Sequence, residues 1–165
     1  MNKRRFYYFV FLFSFVNTAW CAEYGIGIGL NNYNYSIYFP INIKGYRFEP
    51  SIAYTDSTST YSNSTYESSG VGFGLFKTIS QSEKTKVFFG ARINYSEYKS
   101  DGDTSGYVKT TETSIAPTLG FEYYIEENLS LGGEAYFTFT NSDSTNSTSK
   151  SKATGSMVTL KYYFK

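Results

Sequence analysis

The sequence predicts an all-β protein, an eight-stranded antiparallel up-and-down transmembrane β-barrel. Three observations carry that reading. Beyond residue 22, apolar side chains recur at every second position in eight separate segments. Within each segment one face is apolar and uncharged, while the other is rich in glycine, serine and threonine and holds the charged residues. Compact turns alternate with longer polar connections, as in membrane barrels.

Composition narrows the field first. Tyr and Phe number 18 and 15, and charged residues make up only 18%, so a charge-rich disordered chain is excluded. No run reaches the ~18 apolar residues that a spanning helix needs. A formal net charge of +1 leaves no basic footprint for nucleic acid. With no histidine and one cysteine, neither a zinc site nor a disulfide framework can be built, and no cofactor is implied.

The N-terminus reads as an address. Lys3, Arg4 and Arg5 precede an apolar run from Phe6 to Val16, the layout of a secretory signal peptide and too short to span a membrane. Residues 1–22 are expected to be removed, leaving 23–165 as one barrel domain. Cleavage after Ala22 puts bulky Trp20 third before the cut, whereas cleavage after Cys21 puts Ala19 there.

The eight segments follow in order. Tyr24, Ile26, Ile28 and Leu30 mark the first, and Tyr35, Ile37, Phe39 and Ile41 the second. Phe48, Pro50, Ile52 and Tyr54 give the third, and Val71, Phe73 and Leu75 the fourth. Val87, Phe89, Ala91, Ile93 and Tyr95 form the fifth; Ile115, Pro117, Leu119, Phe121 and Tyr123 form the sixth. Leu129, Leu131, Ala135, Phe137 and Phe139 lie in the seventh, and Val158, Leu160, Tyr162 and Phe164 close the eighth. The opposite faces hold Gly25, Gly27, Gly29, Gly70, Gly72, Gly74, Gly90, Gly120 and Gly132, together with Arg47, Glu49, Arg92, Glu122, Glu134 and Lys161.

Connections at 42–45, 78–84 and 125–128 are compact, and those near 56–66, 99–110 and 141–154 are longer. The Ser/Thr/Asn runs at 57–65 and 141–151 are expected to be mobile extracellular loops, because they carry nothing to bury. Volume decides which face points out. An eight-stranded interior is just wide enough for side chains to fill, so some thirty bulky apolar groups belong outside, against lipid. Tyr24, Tyr54, Tyr95, Tyr123 and Tyr162 then fall where aromatic girdles form.

On these residues the chain resembles the small eight-stranded outer-membrane barrels that include the OmpA membrane domain and OmpX. The resemblance spans the expected mature chain. It rests on Arg47-Phe-Glu-Pro-Ser-Ile-Ala-Tyr54, on Thr118-Leu-Gly-Phe-Glu-Tyr-Tyr124 with Leu129-Ser-Leu-Gly-Gly-Glu-Ala-Tyr136, and most on Val158-Thr-Leu-Lys-Tyr-Tyr-Phe164. The resemblance implies that Val158, Leu160, Tyr162 and Phe164 are an assembly signal, although Lys165 follows the terminal aromatic. It further implies location in the outer membrane, contact with outer-membrane lipid and lipopolysaccharide, and engagement with the barrel assembly machinery.

Function follows from what the lumen can do. Glu49, Glu122 and Glu134 could act as acids or bases, but three carboxylates against Arg47, Arg92 and Lys161 read as a neutral ion-pair lattice, with Glu134 expected to pair with Lys161. Phe76, Phe88, Tyr124, Tyr136 and Tyr163 are expected to share the lumen with them. The reading is a non-enzymatic anchor whose loops meet an unknown extracellular ligand in adhesion, host-protein binding or envelope integrity. A narrow channel for small solutes is the alternative, since inward glycines leave room for water. A periplasmic soluble barrel around an apolar ligand is the weaker one.

Overall fold

The computed structural model describes residues 22–31, 35–59, 64–101, 108–144 and 147–164. The expected leader, Ala22 excepted, and Lys165 lie outside the described residues. Among the described residues the chain forms β1 (Ala22–Leu30), β2 (Tyr35–Tyr38), β3 (Ile41–Ile43), β4 (Tyr46–Ser59), β5 (Ser64–Gln81), β6 (Thr85–Asp101), β7 (Val108–Glu126), β8 (Leu129–Ser144) and β9 (Ser147–Phe164). Ala22 is the first residue of β1 and faces Ile43 across the ladder. Strands β2 and β3 are two halves of one barrel strand, interrupted at Phe39–Pro40 because proline has no N–H to give the ladder. Hydrogen bonds bridge the break: the Phe39 N–H donates to the Pro50 carbonyl and the Gly25 N–H to the Pro40 carbonyl, each at 2.9 Å.

The result is an eight-stranded antiparallel barrel. Each barrel strand pairs with the next, and β9 returns to β1 from Tyr24↔Phe164 to Leu30↔Val158. The expected fold class is the observed one. Starting at Lys152, the register runs through Phe139, Ile115, Ile93, Phe73 and Pro50, crosses β2 and β1, and returns to β9 at Tyr162. That stagger of ten residues tilts the strands by about 40°, so each residue climbs roughly 2.5 Å along the axis.

Local chemistry sets the turns. Lys44 and Gly45 both have positive φ, at 47° and 81°, forming the primed two-residue turn that matches strand twist. The β5–β6 and β7–β8 ends each carry a register shift, between Thr78 and Ser80 and between Tyr124 and Glu126. These bulges let the compact turns close without disturbing the wall above.

The apolar face points outward. Val71, Phe89, Ile93, Leu119, Phe121 and Phe164 are all about half exposed or more, although they are among the chain's most hydrophobic side chains. Lipid is the solvent that makes such an exterior stable. The structure also fills a site that the alternation left bare: the Phe121 ring packs over Gly133 on the outer wall.

One expectation needs correction. The runs at 57–65 and 141–151 are not loops in the described residues but continue the strands, which pair up to Ser59↔Ser64 and Ser144↔Ser147. Strands β6 and β7 likewise pair up to Ser100↔Val108. Above the bilayer both faces of a strand meet water, so no alternation marks it, while backbone ladders and β-compatible Thr still hold it extended. Residues 60–63, 102–107 and 145–146, at the tips of these connections, lie outside the described residues. The rim is uneven: β1 accompanies β9 only up to Val158, and β2 accompanies β4 only up to Ala53.

Candidate functional site

Alternation aims the charged residues inward from five strands. Arg47 and Glu49 stand two apart on β4, with Arg92 on β6, Glu122 on β7, Glu134 on β8 and Lys161 on β9. The lumen is narrow enough for all six to meet. Each is buried, from 0 to 6% exposed.

Glu49 is the hub. Its carboxylate faces Arg92 at 2.6 Å, Lys161 at 2.8 Å and Arg47 at 3.2 Å. Glu122 faces Arg47 at 2.6 Å and Lys161 at 3.0 Å, and accepts a hydrogen bond from the Tyr163 hydroxyl at 3.1 Å. Glu134 receives the Arg92 fork, from Nη2 at 2.7 and 2.8 Å and from Nε at 3.2 Å. The expected Glu134–Lys161 pair is only a distant contact at 3.8 Å. Arg92, reaching across the lumen from β6, takes Glu134 instead, because its planar fork suits a carboxylate better than one ammonium does. Three carboxylates and three cations leave the cluster neutral, which is the condition for holding buried charge.

Aromatic rings complete the plug. The Arg47 guanidinium sits 3.8 Å from the Phe88 ring centre, and that of Arg92 lies 4.8 Å from Phe76 and 4.7 Å from Tyr38. Phe76 and Phe88 meet edge to face at 5.4 Å. Each guanidinium is thus neutralised on one side by a carboxylate and covered on another by a π-face, which also excludes water.

The inward glycines at plug height serve this packing rather than leaving space for water, whereas Gly70 and Gly72 border the open space above it. A Cβ on Gly74 or Gly120 would collide with the Phe76 or Phe88 ring, and one on Gly29 with Tyr38 and Met157. At the closing seam, a Cβ on Gly27 would stand 2.6 Å from the Lys161 stem.

Of the aromatics expected in the lumen, Phe76, Phe88 and Tyr163 are buried in the plug. Tyr124 lies below it, stacked on Tyr163 at 5.9 Å, and Tyr136 stands above it over Gly155. Tyr38 and Met157 were missed. They form the roof, with the Tyr38 hydroxyl donating to the Met157 sulfur at 3.0 Å. Alternation held the clue, since Tyr38 lies between outward Ile37 and Phe39, and Met157 adjoins outward Val158. Above this roof lies an open well of about 260 Å³, walled by Ser36, Ser51, Asn94, Ser114 and Thr138. Below the plug, Glu23 joins Lys86 at 3.5 Å and accepts from the Asn42 amide at 2.8 Å.

Val158, Leu160, Tyr162 and Phe164 line the outer face of the seam opposite Leu30, Ile28, Ile26 and Tyr24. The Tyr162 hydroxyl accepts from the Asn128 amide at 2.7 Å, tying the last strand to the β7–β8 turn.

With this geometry in view, the chain can be set beside known proteins. Residues 31–158 match the family described as "Protein of unknown function, DUF481". No curated protein matches the chain. The fold is similar to a major outer membrane protein of Thermus thermophilus, at TM-score 0.55 and 9% identity over 87% of this chain and 100% of that one. It is similar at the same TM-score to Neisserial surface protein A, at 14% identity over 87% and 94%. Ail, the attachment invasion locus protein of Yersinia pestis, follows at TM-score 0.48 and 11% identity over 86% and 93%. The first two share the small outer-membrane barrel fold with this chain. Together with the outward apolar wall, that fold places the protein in the outer membrane and removes the soluble periplasmic barrel from consideration.

Proposed function

The chain belongs to the DUF481 family, and from that premise and its closed lumen we propose that it is a non-enzymatic surface anchor. The barrel holds the extracellular ends of β4 to β9 above the membrane, where they meet a ligand in adhesion, host-protein binding or envelope integrity. The observation that carries this reading is the plug. Six buried charges and three buried rings occupy the cross-section that a conduit would need, and each of the three carboxylates there is already held by cations. The fold shared with Neisserial surface protein A supports the same reading. In biogenesis, Val158, Leu160, Tyr162 and Phe164 are the strand face offered to the barrel assembly machinery.

The second reading, a narrow solute channel, is favoured by the open well above Tyr38 and Met157. Planar bilayers separate the two. The purified barrel is expected to give no channels or only small, rare ones, and cells carrying it should bind their ligand through the protruding strands. Large, steady conductance would replace the anchor by the conduit.

A further inference from the structure

Charge on the outer wall is not evenly neutralised at the upper edge of the apolar belt. Carried around the stagger, the register places Tyr54, Tyr95 and Phe139 near one level, with outward Glu97, Lys99, Lys109, Lys150 and Lys152 just above it. Glu97 takes Lys109 at 2.7 Å and Lys99 at 3.4 Å. Lys150 and Lys152 have no ion pair among the described residues. The acid of upper β8, Asp143, accepts instead from the Thr148 hydroxyl at 2.8 Å.

Beside these two lysines is a groove of about 320 Å³ on the outside of the barrel, floored by Ile93, Ile115 and Phe139 and rimmed by Lys150 and Lys152. The Lys152 ammonium lies 5.8 Å from the Phe139 ring centre, so its stem covers apolar surface while its charge stays at the edge. From Phe164 up to Lys152 is a climb of about 30 Å along the axis, close to the ~25 Å apolar band of such barrels plus the start of the headgroup layer. An apolar floor open sideways to lipid, with two cations at headgroup height that have no ion pair among the described residues, is complementary to an amphiphile carrying negative charge on its head.

We propose that Lys150 and Lys152 bind the phosphate groups of the phosphorylated glycolipid of the outer leaflet, with one acyl chain lying over Ile93, Ile115 and Phe139. The site rests on the hairpin ends facing outward, not on the anchor reading, and conductance plays no part in its test.

The test titrates the whole barrel, in neutral detergent, with diphosphorylated lipid A and reads bound lipid by native mass spectrometry. The unaltered protein should retain the lipid. K150Q/K152Q should weaken binding on the order of 30-fold, whereas K150R/K152R should keep it. K77Q/K84Q removes the same charge at the opposite end of the barrel and should change affinity less than about twofold. Undiminished binding by K150Q/K152Q, or an equal loss in K77Q/K84Q, overturns the site. Equal retention of dephosphorylated lipid A removes the phosphate from the recognition, and equal retention of phosphatidylglycerol overturns the glycolipid assignment.

Discussion

The lower and upper halves of the barrel are built from the same ladders but held by different forces. In the lower half the inward positions are committed. Arg47, Glu49, Glu122 and Lys161 are ion-paired, Phe76 and Phe88 fill the space above glycines, and Ser130 and Tyr163 are fully buried. In the upper half, inward Ser96, Thr140 and Ser142 border a water-accessible well or open solvent, and Ser147 to Thr154 of β9 are exposed on both faces. Packing and charge neutrality constrain the first region, while backbone pairing with a few exposed side-chain contacts, such as Glu97–Lys109 and Thr148–Asp143, sustains the second. Side chains of the upper half are therefore free to vary without loss of the fold, as a recognition surface requires.

The largest test of this contrast is Lys161→Met. It takes one cation from both Glu49 and Glu122, leaving the buried cluster one negative charge in excess, and should destabilise the barrel by about 3–5 kcal/mol, read from urea unfolding in lipid vesicles. Adding Glu49→Gln should recover part of that loss, and simple additivity would show that the two groups do not interact. Gly120→Val comes next. Its new side chain meets the Phe88 ring, and overpacking of this kind should cost about 1–3 kcal/mol. The smallest effect belongs to Ser142→Lys, inward on β8 but above the plug. It should lie within about 0.5 kcal/mol of the unaltered protein. A loss there as large as that of Gly120→Val would erase the distinction between the halves.

What the sequence could show follows the same boundary. Where one face meets lipid and the other a crowded lumen, alternation is strong. The eight strands and the inward set Arg47, Glu49, Arg92, Glu122, Glu134 and Lys161 were legible there residue by residue. Pairing inside that set was not. Neighbouring strands suggested Glu134 with Lys161, but the lumen is narrow enough for Arg92 to reach Glu134 from two strands away. Tyr38 was open to the same alternation, lying between outward Ile37 and Phe39. Strand beyond the membrane was hidden, because Ser and Thr on both faces look the same in a ladder as in a loop.

The placing of Lys161 on the last strand has a consequence for how the barrel closes. Without β9, the buried cluster holds Glu49, Glu122 and Glu134 against Arg47 and Arg92 alone, one negative charge in excess. The incoming strand brings both the missing cation and the Tyr163 hydroxyl for Glu122. A slip of one residue would turn Lys161 to the lipid side. A slip of two would move its stem off the gap that Gly27 leaves for it. In the closed barrel, the in-register strand both seals the wall and neutralises the buried cluster.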